Sequence, residues 1–394
     1  MLGIRYASST LKPSTGYGIA ARGYLRALQR AGVPLRWTPM VPGQSWGLYL
    51  EPLALARIAE GEFASLHDGE IAYDTLLVHT VPEFFDHWRI AEPGKIVVGV
   101  TTWESERLPE QWVPILNRMD GLIVPSQWNR EAFLRCGVER PIHVAPHIFS
   151  PPQEATIPWQ SEFTHKGDYL FYTIGTWSDR KGTADVVKSF CEAFTSRDAV
   201  ALIVKTQPVN EIGRQWGHWW WHVTRRWDSS RRAMEKIRRR VDDPPRIVLI
   251  SDEMSEAEMA GLHERADCFV SLSRAEGWGL GAYEAAHHGK PVIMTRNGGQ
   301  VEFLPPELSY AVPHEMVAAE PQGAIDQEAF HHGQCWAEPD LKAATGTLRY
   351  VNEHREEAEA KGARLRDFVK SRFRSEEICG GILDFIEGLK ALRK

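Results

Sequence analysis

The sequence predicts an α/β protein built from two doubly wound domains that face each other across a cleft, with helices at the C-terminal end. Three observations lead there. Short apolar runs of strand length alternate with amphipathic stretches of helix length in both halves of the chain, the pattern of parallel sheets covered by helices. The length, 394 residues, is comfortable for two domains. A break with four prolines, "PHIFSPPQEATIPWQSEFTHKGD" at 146–168, separates the halves.

In the first half, "GIRY" reads as a strand, followed by a glycine-containing loop with Gly16 and Gly18 and a helix "IAARGYLRALQRAG" that stops at Gly32. "TLLVHT", "KIVVGVT", "GLIVPS" and "PIHVAP" read as further strands, and "SQWNREAFLRCG" as a helix capped by Ser126. The second half restarts with the strand "YLFYTIG", the helix "KGTADVVKSFCEAF" and the strand "AVALIVKT". It continues through "RIVLIS", "SEAEMAGLHERA", "CFVSLS", a glycine-rich turn, "LGAYEAAHHG" and "PVIMT". "WAEPD" (Trp336–Asp340) reads as a packed turn before a tail that is mostly helical. The domains expected are 1–150, 151–375 with an excursion at about 207–245, and a final helix at 376–394 packing back toward the first domain.

The composition is that of an ordinary globular protein, 43% hydrophobic and 25% charged. A net charge of −6 argues against a chain that coats nucleic acid along its whole length, while leaving room for a local basic patch. Five cysteines are scattered without CxxC spacing, which implies a reducing compartment and no zinc site. Cys268, inside an apolar run, reads as a small buried hydrophobe. "MLGIRYASS" lacks the form of a signal peptide and no apolar run reaches membrane-spanning length. A cytoplasmic protein is expected.

"SRAEGWGLGAYEAAHHGKPVI" (Ser271–Ile293) carries the most chemical information. Glu276 follows a strand, Gly277, Gly279 and Gly281 form a permissive turn, and a helix then begins. That sequence of elements presents backbone N–H groups and the positive end of a helix to a phosphate. Glu276 and Glu284, eight apart, flank the turn, where two carboxylates can accept hydrogen bonds from sugar hydroxyls.

This segment resembles the E-x7-E motif of the retaining glycosyltransferases of family 4, which have the GT-B fold of two Rossmann-like domains. The resemblance extends to "STGYGIAARGYLRALQRAG", to "TTWESERLPEQWVPILNRMDGLIVPSQWNREAFLRCGVERPIHVAPH", and to "IGTWSDRKG". It implies an N-terminal acceptor-side domain, a C-terminal donor domain, and transfer of a hexose from a nucleotide-diphosphate sugar to an acceptor hydroxyl with retention of configuration. Glu276 would orient the donor hexose and Glu284 would hold the ribose. Gly277, Trp278, Gly279 and Leu280 would present backbone amides, and Lys181 would meet the diphosphate. Where many members carry Gly-Arg after the first donor-domain strand, this chain has Gly175-Thr176, which leaves Lys205 and Arg180 as replacements. Gly16 and Gly18 would let backbone approach the phosphates. His79 or Glu104, both at strand ends, would orient the acceptor or act as a base. A helix N-terminus with one or two cations can take the charge of a leaving diphosphate. No metal and no cofactor are therefore expected beyond a donor such as UDP- or GDP-hexose. His287-His288 and His331-His332 lack partners at ligand spacing and are not read as metal ligands.

"RQWGHWWWHVTRRWDSSRRAMEKIRRR" (Arg214–Arg240) has five tryptophans and nine Lys/Arg against Asp228 and Glu235. Met234, Ile237 and Val241 fit a buried helical stripe, with Arg231, Arg232, Lys236, Arg238, Arg239 and Arg240 on the other faces. Trp219, Trp220, Arg225 and Arg226 are acceptor-binding candidates. Interleaved Trp and Arg suit nucleic-acid bases and phosphates, an anionic membrane surface, or packing alone. The acceptor is accordingly open: an envelope glycan, a lipid-linked sugar, or a hydroxymethylated base in DNA. Readings of another class are a nucleotide-sugar epimerase and a non-catalytic sugar- or nucleic-acid-binding protein. The second would predict loss of the glutamate pair, and both glutamates are present.

Overall fold

The computed structural model describes residues 2–9, 15–42, 48–49, 62–67, 69–152, 154–156, 165, 167–212, 229–323, 330 and 333–393. The chain divides into two compact units. One comprises Met1–Trp103, Arg107–Ser150 and Phe373–Lys394; the other comprises Glu104–Glu106 and Pro151–Arg372.

The first unit is organised on a seven-stranded sheet in the order β3-β2-β1-β4-β5-β6-β7. Its strands are β1 (Gly3–Ser9), β2 (Leu35–Pro42), β3 (Leu48–Tyr49), β4 (Tyr73–His79), β5 (Ile96–Val100), β6 (Gly121–Val124) and β7 (Ile142–Val144). All neighbours are parallel except β2 and β3. β5 and β6 are continuous apolar runs, and β4 is buried over its last five residues, because both faces of a parallel sheet are covered. Helices α1 (Gly16–Arg30), α2 (Ala64–His67), α3 (Phe85–Ala91), α4 (Trp112–Leu116) and α5 (Gln127–Arg135) belong to this unit.

The start of α1 differs from the sequence expectation. Gly16 and Gly18 lie in the first turn of the helix rather than in a loop before it. Thr15 caps the helix, its hydroxyl accepting from the Gly18 amide at 3.1 Å. A well-formed cap outweighs the low helix propensity of two glycines.

The second unit carries a six-stranded sheet in the order β10-β9-β8-β11-β12-β13. These are β8 (Tyr169–Ile174), β9 (Val200–Lys205), β10 (Arg246–Ile250), β11 (Cys268–Ser271), β12 (Val292–Thr295) and β13 (Tyr310–Val312), all parallel to their neighbours. Around it stand α6 (Thr183–Ala193), α7 (Ser230–Arg238), α8 (Glu256–Arg265), α9 (Leu280–His287), α10 (Leu341–Glu353) and α11 (Arg355–Arg372). Phe171, Val186, Phe190, Leu202 and Val270 lie in its core. Cys268 is fully buried there, the small hydrophobe the sequence implied.

Residues 335–339 are not a turn. Cys335–Pro339 forms strand β15, paired antiparallel with β14 (His314–Ala318). Asp340 then caps α10, accepting from the Ala343 amide at 2.9 Å. The run is short and holds a proline, so it carries no strand periodicity of its own and forms only through its partner.

The last helix, α12 (Ser375–Leu392), belongs to the first unit. It buries Ile378, Cys379, Ile382, Ile386 and Leu389, and Phe385 stacks on His143 with ring centroids 5.3 Å apart.

Candidate active site

In the second unit the connections run outward from β8 to β9 and β10 on one side, and from β11 to β12 and β13 on the other. The strand order therefore reverses between β8 and β11, and the loops leaving their carboxyl ends diverge there, where doubly wound sheets take their ligands. Those two loops, 175–182 and 272–279, carry Arg180, Lys181 and Glu276.

Each loop is held from below. Trp177 is 1% exposed and anchors the first in the core, while its carbonyl accepts from the Glu211 amide at 2.9 Å. The second is fastened through Arg274, which forms a two-pronged pair with Glu338 at 2.6 Å on each side. Arg274 also meets Asp185 at 2.9 Å and the Asp179 carbonyl at 2.7 Å. Ser273 donates to the Arg180 carbonyl at 3.0 Å, and the Arg274 amide donates to the same oxygen at 2.7 Å. The backbones of the two loops are thus joined, which fixes the distance between their side chains.

Lys181 Nζ lies 2.6 Å from Glu276 Oε1. Arg180 stands 4.0 Å from the other oxygen of Glu276 and 3.5 Å from Glu104, which clusters with this unit. Arg180 Nη1 also donates to the Ala275 carbonyl at 3.0 Å. Glu104 is placed by its neighbour Ser105, whose buried hydroxyl donates to Gln334 Oε1 at 2.9 Å. Glu276 is 7% exposed. Burial alone would raise its carboxyl, but Lys181 and Arg180 outweigh that and hold it below the ordinary carboxylate range. The result is a buried, ionised carboxylate next to two cations.

Past Glu276 the chain turns into α9. Gly279, at φ +86°, occupies the cap position without a side-chain cap, in a conformation that β-carbon-bearing residues rarely adopt. Trp278 is buried against Tyr283 and Phe303, which anchors the turn and leaves its backbone to line the helix start. Gly298, not singled out in the sequence, also has positive φ, and a β-carbon there would come within 2.3 Å of the Glu276 carbonyl oxygen. The Gly299 amide donates to that same oxygen at 2.9 Å.

Glu284, one turn into α9, faces His263 at 3.3 Å. Lys205 ends β9 and donates to the Thr206 carbonyl at 3.1 Å. Burial pulls its ammonium below the usual lysine range against the pull of Asp252 and Glu253. It is not part of the Lys181–Glu276 contact.

His79 ends β4 in the first unit, where that sheet reverses order between β1 and β4. It is 2% exposed, and its Nδ1 lies 2.7 Å from the Tyr6 hydroxyl. Tyr17 and Tyr24 pack around the ring. Burial, with His147 nearby, pushes its imidazole down to about 3, so the ring is neutral at physiological pH. Gly18 is buried in the first turn of α1. His287 and His288 close α9, with His288 stacked on His263. Trp219, Trp220, Arg225, Arg226, His331 and His332 lie outside the described residues. In α7 and the three residues after it, Met234 is buried, with Ile237 and Val241 packed on the core, while Arg231, Arg232, Lys236, Arg239 and Arg240 are exposed. Arg238 is part-buried and pairs with Glu235 at 3.0 Å.

Residues 225–380, which contain the glycine turn and both glutamates, match the model of a family described as "Family 4 Glycosyltransferase in conflict systems". That stretch, less than half of the chain, is similar to the family 4 glycosyltransferases. No curated protein matches this chain by sequence. Among solved structures, sucrose-phosphate synthase from Thermosynechococcus elongatus is 16% identical, with a TM-score of 0.66 over 100% of both chains. Anabaena Alr3699/HepE, in complex with UDP and glucose, is 15% identical with a TM-score of 0.64, covering 98% of this chain and 100% of that one. An E. coli protein titled trehalose-6-phosphate and bound with UDP-2-fluoro glucose is 12% identical, with a TM-score of 0.61 over 97% and 98%. These likenesses show the GT-B fold.

Proposed function

We propose that this glycosyltransferase moves a hexose from a nucleotide-diphosphate sugar to an acceptor hydroxyl with retention of configuration, without a metal ion. The observation that carries the reading is the Lys181–Glu276 pair, 2.6 Å apart at the strand-order reversal and just ahead of the uncapped start of α9. A diphosphate at that helix start meets the positive helix end and Lys181, with Arg180 beside it. These groups stabilise the charge that develops as the glycosidic bond breaks, the part a divalent ion plays in other enzymes.

On donor binding Lys181 transfers from Glu276 to the diphosphate. Glu276, kept ionised, then accepts hydrogen bonds from the hexose hydroxyls and orients the anomeric carbon. Glu284 takes the ribose. The bond from C1 to the diphosphate oxygen breaks on the same face at which the acceptor oxygen bonds to C1. The acceptor proton passes to the departing phosphate, so no protein nucleophile is needed. HepE's complex with UDP and glucose makes a UDP-hexose the first donor to try.

A donor panel of UDP- and GDP-hexoses, followed by nucleotide release, tests this. Release with at least one donor is expected, falling about 10²–10³-fold in Glu276→Ala, the range for deleting a group that organises the transition state. A chain that neither binds nor turns over any of them overturns the proposal. For the acceptor, the five exposed cations of α7 and the two residues after it favour a phosphate-bearing molecule, either a lipid-linked sugar or DNA with hydroxymethylated bases. Mass spectrometry of products with each acceptor class separates the two. Charge reversal at Arg239 and Arg240 should weaken binding to the true acceptor in a salt-dependent way.

A further inference from the structure

Glu284 is the last member of a three-residue chain assembled from three elements. Its Oε2 lies 3.3 Å from Nε2 of His263 on α8, and Nδ1 of that ring lies 2.8 Å from the hydroxyl of Tyr172 on β8. His263 is 1% exposed and Tyr172 is fully buried, while the Glu284 side chain keeps 19% of its exposure. The chain therefore leads from the core out to one carboxylate.

An ionised carboxylate can only accept, so Nε2 carries the hydrogen that reaches Glu284. The other ring nitrogen, Nδ1, faces the Tyr172 hydroxyl. Burial holds Tyr172 as a phenol, its hydroxyl raised well above the ordinary tyrosine range. On the other side, His288 stacks flat on His263, ring centroids 5.2 Å apart and planes 9° from parallel. Burial, with His263, Lys290 and Lys370 nearby, pushes the His288 imidazole down to about 3. His263 is thus held in orientation by the stack on one side and by the phenol behind it.

We propose that His263 is a positioning residue: with Tyr172 behind it, it holds one oxygen of Glu284 so that the other is presented to the vicinal hydroxyls of the nucleotide ribose. A glutamate one turn into a helix otherwise has several rotamers to choose from, and a buried N–H donor aimed at one oxygen selects among them. The inference deepens the reading of Glu284 as the ribose acceptor and rests on it.

The test compares binding of UDP with 2′-deoxy-UDP, and of GDP with 2′-deoxy-GDP, by calorimetry. The wild-type chain is expected to prefer the ribonucleotide by about tenfold, the scale of a hydrogen bond to a charged group. Glu284→Ala should abolish the preference. His263→Phe should remove most of it, and Tyr172→Phe, which deletes a single oxygen and leaves packing intact, should reduce it. His263→Gln, which returns an N–H donor, should restore part of it. A purely structural role would lower the melting temperature and weaken both nucleotides of a pair alike. An unchanged ribose preference in His263→Phe and Tyr172→Phe overturns the inference. Failure of the wild-type chain to bind any of the four nucleotides, or an unchanged preference in Glu284→Ala, overturns instead the ribose reading beneath it.

Discussion

Lys181 and Glu276 stand 95 residues apart in the chain and 2.6 Å apart in the fold, and the state of each depends on the other. Burial raises the Glu276 carboxyl and the two cations lower it, with the cations prevailing. Removing Lys181 shifts that balance toward burial, so the acid limb of the pH–rate profile in Lys181→Met should move to higher pH. Residual nucleotide release measured across pH 4–8 checks this. A second pH effect concerns stability. His79 and His147 have folded imidazoles pushed down to about 3 by burial, against about 6.5 in the unfolded chain. Their contribution is complete above about pH 6.5 and is lost as pH falls from there toward 3, because the unfolded state then binds more protons. Each group costs up to about 1.4 kcal/mol per pH unit across that window. Thermal melts between pH 7 and 4 should show the melting temperature falling, and His79→Gln should flatten the slope.

The glycine turn does its work at the level of the element. Gly279 lets the chain enter α9 without a side-chain cap, and Gly298 lets a neighbouring loop press against the Glu276 carbonyl. A β-carbon at Gly298 would meet backbone that has no rotamer to escape into, so Gly298→Ala must displace Glu276 itself. We expect nucleotide release to fall at least about tenfold, with a stability loss of about 1–3 kcal/mol. Kinetics and a melt on the same sample check the pair of effects. At Gly279 the nearest atoms, Gln300 Cβ and Met294 Cε at 3.4 Å, belong to side chains. Gly279→Ala should therefore cost mainly the left-handed backbone penalty of about 1–2 kcal/mol and less activity than Gly298→Ala. The turn containing Gly279 was legible because strand, glycines and helix follow one another within a short window. Gly298 was not, because its constraint comes from a loop over twenty residues away that it touches only in the folded unit.

For the whole molecule, the informative segment is the last one. The chain finishes the second unit at Arg372 and then supplies α12 to the first. Leu389 and Phe385 sit where β6 has Gly121, a position at which a β-carbon would meet Leu389 at 2.7 Å. Lys390 pairs with Asp74 at 2.9 Å. Deleting residues 373–394 strips the five side chains that α12 buries, together with Phe373, from the first unit. At roughly 1.5–3 kcal/mol per large apolar side chain returned to water, the loss is of the same order as the whole stability of a domain. The truncated chain should lose the thermal transition of the first unit while keeping a cooperative melt of the second, resolvable by calorimetry.

By itself the sequence determined the class of both sheets, the order of most strands and helices, and the pairing of Glu276 and Glu284 around one turn, because each is written in local periodicity, capping and glycine spacing. Tertiary structure decided which groups meet: Arg180 with Glu104, Arg274 with Glu338 and Asp185, and His263 with Tyr172 and Glu284. It also decided that Cys335–Pro339 is a strand and that α1 begins at Gly16. Such contacts join residues from 21 to 91 positions apart, and their geometry is set by parallel strands that end on one edge of a sheet. Spacing along the chain carries no record of that edge until the sheet is formed.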